Sequence, residues 1–423
     1  MKKICFFLLS LLSLLLVSCD IEFARAPEIK KDDEVECSHE IGETYISPTC
    51  TVDGKIIYQC SKCGEYITER SIPATGHNVT FKIVTESIDG SVGTKAYVCE
   101  NCGETFDEYE YVNIGYSRFG KLHVNGRNLV DAENNVVKLV GISTHGLQWF
   151  SRYVNYDTLY NCKEAFNINV FRFSLYTSED GYCETSKENK EKLYQTVLNG
   201  VKICAELDMY AIVDWHMLGA DNNNDKNPLY YLEEAKEFFD RITKDLQDYD
   251  NVLFEIMNEP NGSTTWNDCK QYANEVIPVI RSNMPDAIVL VGNPKWSSDL
   301  ASPTNDPLDF SNIMYTFHFY AADNMSTNKV VTAYNNNLPI FVSEHGGMDS
   351  SGDGAVNYEN IKKWYKILDD RNISYVAWNL SNSKGSSSII KQGSTLLADF
   401  SNSNLKDWGI YYKNHIKELL GIN

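Results

Sequence analysis

Two short polar strings each follow an apolar run that is typical of a buried β-strand. Asn258-Glu259-Pro260 follows residues 252–257, and Ser343-Glu344-His345-Gly346 follows residues 338–342. A glutamate left uncompensated at the end of a buried strand is energetically costly, so two of them predict a site built to hold a pair of carboxyl groups. Glycoside hydrolysis is a reaction that requires such a pair.

These two runs belong to a series of eight strand candidates. Helices are predicted in the intervals 188–207, 232–248, 266–283 and 358–370. Short β-branched runs joined by helices are typical of βαβ units, and eight such units close a (β/α)8 TIM barrel, an α/β fold. A doubly wound open sheet is the alternative, but no glycine-rich phosphate loop follows any candidate. The predicted strands are 137–144, 169–176, 210–216, 252–260, 287–292, 313–320, 338–346 and 373–381.

The C-terminal ends of the strands form one face of such a barrel, so polar and aromatic residues at these ends are candidates for a site. Packing alone would favour apolar residues there, and we therefore interpret the convergence as functional. A lone histidine elsewhere, such as His123 or His415, is better explained as a surface or core residue. The candidate binding residues are His145, Trp149, Arg172, Tyr176, His216, Asn258, Trp296, His318, Tyr320 and Trp378.

The cysteines mark a separate small region near the N-terminus. Six of the 12 lie between Cys37 and Cys102, and Cys60-Ser61-Lys62-Cys63-Gly64 is repeated as Cys99-Glu100-Asn101-Cys102-Gly103. A repeat of this kind indicates one supersecondary unit used twice. We predict a small Cys-rich β module over 37–112 and a catalytic barrel over 113–423. The module is polar and strand-poor, so cross-links are expected to replace an apolar core.

Two kinds of cross-link are open for this module. The pairs Cys60/Cys63 and Cys99/Cys102, with histidines nearby, offer tetrahedral zinc ligation. Disulfides are equally compatible, because an exported protein meets oxidising conditions. Cys50 corresponds to Asp89 in the second copy, so the two copies are expected to differ in their ligand sets.

Residues 1–19 have the pattern of an export signal, with Lys2-Lys3, an apolar stretch over 4–17 and then Ser18-Cys19. That stretch is shorter than the roughly 20 residues that span a bilayer. Leu16-Val17-Ser18-Cys19 resembles a bacterial lipobox, which predicts lipidation of Cys19, a membrane or cell-surface anchor, and an acidic tether over 20–36. Simple cleavage and secretion is the alternative.

The charge balance limits the kind of ligand. The chain has 38 basic and 58 acidic residues, a formal net charge of −20, which disfavours nucleic acid as the main partner. Seven Trp and 26 Tyr suit a neutral carbohydrate, because aromatic faces stack on the apolar faces of sugar rings. A polysaccharide partner is expected, and no obligate protein partner is implied.

Residues from about 120 to 388 resemble glycoside hydrolase family 5, in particular its bacterial endo-β-1,4-glucanases, or cellulases. The resemblance rests on residues 139–149, 169–172, 213–216, 255–262 and 318–320. It implies that Glu259 is the general acid/base and Glu344 the nucleophile of a retaining double displacement that needs no metal or organic cofactor. Order and spacing alone do not assign these two roles.

The same resemblance implies roles for the surrounding residues. Arg172 and Tyr320 are expected to keep Glu344 ionised, and Asn258 to bind the sugar 2-hydroxyl. The remaining expectations concern the substrate: His145, His216 and His318 fix hydroxyls and carboxylates, Trp378 forms the floor of the reacting subsite, and Trp149 and Trp296 are platforms further along the cleft.

Three positions depart from the family pattern. His345 replaces the usual Trp after the nucleophile, and Ser383 and Gly385 stand where Lys and Glu are expected. We expect these positions to shape the glucose-binding end and to alter affinity or glucan preference. Hydrolysis of β-mannan or xyloglucan by the same mechanism is an alternative. An inactive glycan-binding surface protein is another, which the presence of both glutamates with Asn258 and Arg172 disfavours.

Overall fold

The structure, a computed structural model, describes residues 37–219 and 224–422. These residues form two compact units, one of 37–79 with 99–103 and one of 80–98 with 104–422. This division runs through the predicted Cys-rich module, whose boundary at residue 112 stays a prediction. The predicted signal, tether and lipidated Cys19 lie outside the described residues. Among the helices of the described ranges, none is long and apolar enough to cross a membrane.

The Cys-rich segment contains two three-stranded sheets, which confirms the predicted β module, although the expectation that the segment is poor in strands is wrong. Most residues of its outer strands are exposed, as in Tyr66–Ile72, and no apolar alternation marks them in the sequence. The first sheet consists of Ile41–Ile46, Gly54–Cys60 and Tyr66–Ile72, and the second of Val79–Thr85, Gly93–Cys99 and Thr105–Tyr111.

Eight parallel strands close a barrel in chain order, and the last strand pairs with the first. The predicted (β/α)8 TIM barrel is therefore confirmed. We number its strands β1 (Val140–Thr144), β2 (Val170–Tyr176), β3 (Tyr210–His216), β4 (Val252–Glu255), β5 (Ile288–Val291), β6 (Ile313–Tyr320), β7 (Ile340–Gly346) and β8 (Tyr375–Leu380).

Helices alternate with these strands, and the predicted helix over 266–283 is observed as Trp266–Asn283. It begins with a capping box, in which Thr265 and Asp268 each accept a hydrogen bond from the backbone N–H of the other. The other α-helices are Tyr116–Phe119, Leu147–Phe150, Tyr156–Phe166, Lys187–Glu206, Leu232–Asp245, Ala301–Asn305, Asn328–Asn335, Tyr358–Asp369 and Asp407–Leu420, with 3-10 turns at Ser151–Tyr153 and Pro228–Tyr231 and a two-stranded hairpin of His123–Asn125 and Asn128–Val130. Pro294–Ser297 forms a single turn in which Lys295 and Trp296 have left-handed φ angles of 61° and 55°.

The fourth barrel strand ends earlier than predicted. β4 ends at Glu255 rather than at residue 260, so Asn258 and Glu259 lie in the loop that follows. The loop stays beside the end of β3, because the N–H of Asn258 donates to the carbonyl of Trp215 at 3.2 Å and that of Glu259 to the carbonyl of Met217 at 3.1 Å. This continued pairing explains why the sequence resembles a longer strand.

The inside of the barrel changes from apolar to polar along the strands. Its N-terminal layer includes Val170, Ile212 and Leu253, which belong to one buried cluster. Two residues further along the same strands, the inward positions hold Arg172, Asp214 and Glu255, all without exposed surface. The two-residue period of a strand thus places a polar layer directly above an apolar floor.

Candidate active site

A buried arginine lies at the centre of the polar layer. Arg172 donates from Nε to Glu255 at 2.7 Å, from Nη1 to Glu344 at 3.2 Å and from Nη2 to Asn258 Oδ1 at 2.7 Å. Its Nη2 is also 3.0 Å from Asp214. Burial by itself would lower the pKa of Arg172, but the charges of Asp214, Glu255 and Glu344 raise it above its ordinary value.

Glu344 lies at the end of β7, and two donors hold its carboxylate. Tyr320 donates its hydroxyl to Oε1 at 2.8 Å, while Arg172 donates to Oε2. The register of β7 shifts between Val342 and His345 where it pairs with β8. This irregularity allows the adjacent residues Ser343 and Glu344 both to face the barrel interior, as bulges near active sites commonly do.

Glu259 is paired with a histidine whose surroundings favour the form protonated on both ring nitrogens. His318 Nδ1 is 2.8 Å from Glu259 Oε1, and Nε2 is 2.9 Å from the Ser343 hydroxyl. That hydroxyl donates to Glu255 at 2.6 Å, so its oxygen must accept from Nε2. Burial would lower the pKa of His318, but the carboxylate of Glu255 at 3.7 Å from Nε2, the hydrogen bond to Glu259 and the charge of Glu344 raise it to about 10.

Two further histidines of the site are neutral. His216 Nδ1 donates to Asp214 at 2.6 Å and Nε2 accepts from the Asn258 amide at 3.3 Å. Burial, together with the charge of Arg172, lowers the pKa of His216 to about 3. Burial, with a smaller effect of His216, lowers the pKa of His145 to about 4.

The two glutamates face each other across the mouth of the barrel. One carboxylate oxygen of Glu259, one of Glu344 and a ring nitrogen of His318 all lie within 4.8 Å of one another. Glu259 is 7% exposed and Glu344 4% exposed, so both reach the surface of the cleft.

A cleft of about 960 Å³ opens above this pair. Arg172 and Asn258 have no exposed surface and lie beneath it. Trp149, 41% exposed, lies beside it with its ring centroid 5.1 Å from that of Tyr176. Of the predicted residues, those lining the cleft are His145, Tyr176, His216, Glu259, Trp296, His318, Tyr320, Glu344 and Trp378.

One expected specificity position lies outside the cleft. His345 is fully buried, with Nδ1 2.7 Å from the carbonyl of Val376 and Nε2 2.9 Å from the Tyr365 hydroxyl. Burial lowers its pKa to about 3. The expectation that His345 shapes the glucose-binding end is therefore wrong, because it packs on the outer side of the barrel wall. Ser383 and Gly385 do line the cleft.

Three residues of the network were not among the predicted site residues: Asp214, Glu255 and Ser343. Asp214 and Glu255 could have been found from the two-residue period of a strand. Asp214 lies two residues before the predicted His216, and Glu255 lies two residues after the inward Leu253, so each has the same orientation as that neighbour. The orientation of Ser343 depends on the shifted register of β7, which the sequence does not indicate.

The Cys-rich segment brings its cysteines and histidines into two groups with the same composition. One consists of Cys37, His39, Cys60 and Cys63, and the other of Cys50, His77, Cys99 and Cys102. The expectation of different ligand sets is therefore wrong, because Cys50 of the first copy belongs to the second group. No disulfide joins the cysteines of the described residues.

Comparison with known proteins places these features in a family. Residues 130–384 match the family model described as Cellulase (glycosyl hydrolase family 5). The chain is 43% identical over 305 residues to Endoglucanase A of Butyrivibrio fibrisolvens, covering 71% of this chain and 70% of that protein. It is 38% identical over 300 residues to an endoglucanase of Clostridium saccharobutylicum, covering 70% of this chain and 65% of that protein.

Solved structures show the same likeness. The catalytic domain of an endoglucanase from Thermobifida fusca, in complex with cellotetraose, superposes with a TM-score of 0.67 at 34% identity, covering 71% of this chain and 99% of that one. A cellulase named Cel5C_n superposes with a TM-score of 0.66 at 37% identity, covering 70% of this chain and 92% of that one.

The protonated state of His318 predicts a pH dependence of stability. Its pKa is raised from 6.5 to about 10 in the folded chain, so between these values the folded state binds more protons than the unfolded state. The stabilisation from this group is fully present below pH 6.5 and is lost as the pH rises towards 10. Replacing His318 removes this dependence.

We therefore expect the difference in unfolding free energy between the wild type and His318→Gln to be largest below pH 6.5 and to shrink at alkaline pH. Denaturant unfolding at several pH values measures it, with His123→Gln outside the site as the matched control. A difference that stays constant from pH 6 to pH 10 would contradict a charged His318.

Proposed function

The chain belongs to glycosyl hydrolase family 5, and we propose from this that it cleaves internal β-1,4-glucosidic bonds of cellulose-like or mixed-linkage β-glucans. It is a glycoside hydrolase of the endoglucanase type, and its substrate is a polysaccharide. The observation that carries the proposal is the approach of Glu259 and Glu344 to within 4.8 Å at the floor of an open cleft.

The separation of the two glutamates supports a retaining mechanism. Retaining enzymes hold their carboxyl groups about 5 to 5.5 Å apart, whereas inverting enzymes need about 6.5 to 9.5 Å to admit a water molecule between carboxylate and sugar. One oxygen of Glu259 lies within 4.8 Å of one oxygen of Glu344, an approach that agrees with the retaining spacing better than with the inverting one. We assign Glu344 as the nucleophile and Glu259 as the acid/base, because two hydrogen-bond donors hold Glu344 ready to attack.

In the first step Glu344 forms a bond to the anomeric carbon. The glycosidic C–O bond breaks, and Glu259 gives its proton to the leaving oxygen. The carboxylate this creates on Glu259 faces the protonated His318 at 2.8 Å, which stabilises the new negative charge. Arg172 and Tyr320 hold the two oxygens of Glu344 in position.

In the second step water attacks the anomeric carbon and gives a proton to Glu259. The bond between Glu344 and the sugar breaks, and Glu344 returns to its contacts with Arg172 and Tyr320. Formation of the glycosyl ester removes the negative charge of Glu344, so it no longer repels that of Glu259. One residue serves as acid and then as base, and neither step uses a cofactor.

Aromatic residues along the cleft support a carbohydrate ligand. Trp378 lies over the site beside His216, with 5.3 Å between ring centroids and 12° between ring planes. Trp296 is 54% exposed at the cleft and offers a face on which a more distant sugar can stack. The contact of Asn258 with the 2-hydroxyl stays a prediction, since this side chain is buried.

We also propose that the chain is exported and anchored at the membrane or cell surface through a lipid on Cys19. The support is the sequence alone: Lys2-Lys3, the apolar stretch over 4–17 and Leu16-Val17-Ser18-Cys19.

Removal of the nucleophile tests the mechanism. Glu344→Ala is expected to lower kcat on carboxymethylcellulose by at least about 10³-fold, because the covalent step is lost. Glu259→Ala is expected to lower it by about 10²- to 10⁴-fold, the usual range for general acid–base catalysis. Glu359→Ala on an exposed helix face is the matched control and should leave activity unchanged.

NMR of the wild-type reaction should show the β anomer as the first product, since a double displacement retains configuration. Initial release of the α anomer, or equal activity of the wild type and Glu344→Ala, would refute the assigned roles.

Substrate preference is tested by release of reducing sugar from carboxymethylcellulose, barley β-glucan, xyloglucan and mannan. We expect the first two to be cleaved fastest, with a rapid fall in viscosity that marks internal cleavage. The matched comparison is Trp378→Phe, which keeps an aromatic face and should retain the order of preference. A faster rate on mannan or xyloglucan would replace the glucan assignment and leave the mechanism intact.

Lipid attachment is tested with Cys19→Ser in the native host or a related bacterium. The wild type should incorporate labelled fatty acid and sediment with membranes, whereas the variant should lose the label. A wild type that carries no label and is recovered from the medium would support cleavage and secretion instead.

A further inference from the structure

We propose that the Cys-rich unit binds two zinc ions, each through three cysteine sulfurs and one histidine nitrogen, and that Cys50 of the first repeat completes the site of the second. The inference is independent of the proposed glucanase activity. It rests on the positions of eight side chains within residues 37–79 and 99–103, which belong to one compact unit.

The first group has the geometry of a tetrahedral site. Cys37 Sγ lies 3.6 Å from Cys60 Sγ, and Cys63 Sγ lies 3.6 Å from His39 Nδ1. All four atoms lie within 4.8 Å of one another. The second nitrogen of His39, Nε2, is 3.3 Å from a carboxylate oxygen of Glu65. Histidine ligands of zinc commonly have such a carboxylate behind them.

The second group repeats these distances. Cys50 Sγ lies 3.7 Å from Cys99 Sγ, and Cys102 Sγ lies 3.5 Å from His77 Nδ1. These four atoms also lie within 4.8 Å of one another. The two groups therefore agree in ligand type and in spacing. This agreement holds although the position equivalent to Cys50 in the second repeat is Asp89 rather than a cysteine.

The spacings are those that a zinc ion imposes. With Zn–S bonds of about 2.3 Å and Zn–N bonds of about 2.05 Å, tetrahedral angles place two sulfurs about 3.8 Å apart and a sulfur and a nitrogen about 3.6 Å apart. The observed values are 3.6 and 3.7 Å for the sulfur pairs and 3.6 and 3.5 Å for the sulfur–nitrogen pairs. Thiolate-rich tetrahedral sets select zinc over hard cations such as magnesium or calcium.

Disulfides fit the same atoms poorly. Each group holds three cysteines, so pairing within a group would leave one thiol over. A disulfide also requires its sulfurs to be about 2.05 Å apart, well below the separations observed. Disulfide pairing would also not explain why a histidine nitrogen lies beside the third sulfur of each group.

The backbone around both groups is arranged to present the sulfurs. Each Cys-x-x-Cys pair is followed by a glycine with positive φ, 78° at Gly64 and 75° at Gly103. The N–H of Gly64 donates to the carbonyl of Cys60 at 2.9 Å, and that of Gly103 donates to the carbonyl of Cys99 at 2.8 Å. These tight turns bring both cysteines of each pair to one side, and a side chain at either glycine would be strained.

Cys50 is held in place against the segment that carries His77. The N–H of Gly76 donates to the carbonyl of Cys50 at 3.1 Å, and the N–H of Thr75 donates to the carbonyl of Thr49 at 3.0 Å. These bonds fix the cross-repeat ligand beside the histidine of the second site. The second site therefore needs the first repeat to be folded, whereas the first site draws all its ligands from its own repeat.

Metal analysis of the purified full chain tests the proposal. We expect two zinc ions per chain. The six cysteines of the two groups should resist alkylation until a strong chelator removes the metal. Cobalt(II) added to the metal-free chain should give the intense visible bands of tetrahedral thiolate coordination at two equivalents. Cys183→Ser, a half-buried barrel cysteine outside both groups, is the matched control and should keep two ions.

Pairs of substitutions test the shared ligand. Cys50→Ser, Cys102→Ser and Cys37→Ser should each leave one ion in the presence of a competing chelator. Cys50→Ser combined with Cys102→Ser should still leave one, because both belong to the second site, whereas Cys37→Ser combined with Cys102→Ser should leave none.

Two results would overturn the inference. A wild type without zinc, with its module cysteines in disulfides by mass spectrometry, would overturn the metal sites. Loss of both ions from the Cys50→Ser, Cys102→Ser double variant, or retention of both ions by Cys50→Ser alone, would overturn the assignment of Cys50 to the second site. Far-ultraviolet circular dichroism confirms that the barrel is folded in every variant.

Discussion

The buried guanidinium of Arg172 is the interaction on which the rest of the site depends. Its partners come from β3, β4 and β7 and from the loop after β4, so one side chain of β2 fixes the relative positions of four barrel strands. Burying an isolated charge is prohibitive, and removing one partner of a buried pair typically costs about 3 to 5 kcal/mol. The arginine and its carboxylates therefore require one another, and the geometry of Glu344 follows from this requirement.

Glu255 extends this constraint to the second glutamate. One of its oxygens accepts from Arg172, which also holds Glu344, and the other accepts from Ser343, which is hydrogen-bonded to His318 and through it to Glu259. Glu255 is thus connected to Glu344 through Arg172, and to Glu259 through Ser343 and His318. Burial raises the cost of every charge in this network, but for Glu255 the positive charge of Arg172, with the interactions of His318, outweighs it, and the pKa of Glu255 falls to about 2.

The sequence predicts most of the barrel because its strands are short, apolar and separated by amphipathic helices. Seven of the eight predicted strands have C-terminal ends within one residue of those observed, and the fourth was extended because Asn258 and Glu259 continue to pair with the end of β3. The inward residues Asp214 and Glu255 follow from the same periodicity once the barrel is assumed. What the sequence does not contain is the local backbone irregularity of β7 and the pairing of Cys50 with a distant repeat, since both depend on three-dimensional register.

The shifted register of β7 also determines where the side chain of the next residue, His345, lies. With Ser343 and Glu344 both turned inward, His345 is displaced to the layer where Tyr365, Tyr375 and Trp408 pack around it. Amino-acid differences at this position among related chains therefore carry information about how the outer helices fit against the wall. His345 does not line the cleft and so has no direct contact with a bound glycan, and a comparison that treats every residue next to a nucleophile as a selectivity determinant would misplace this one.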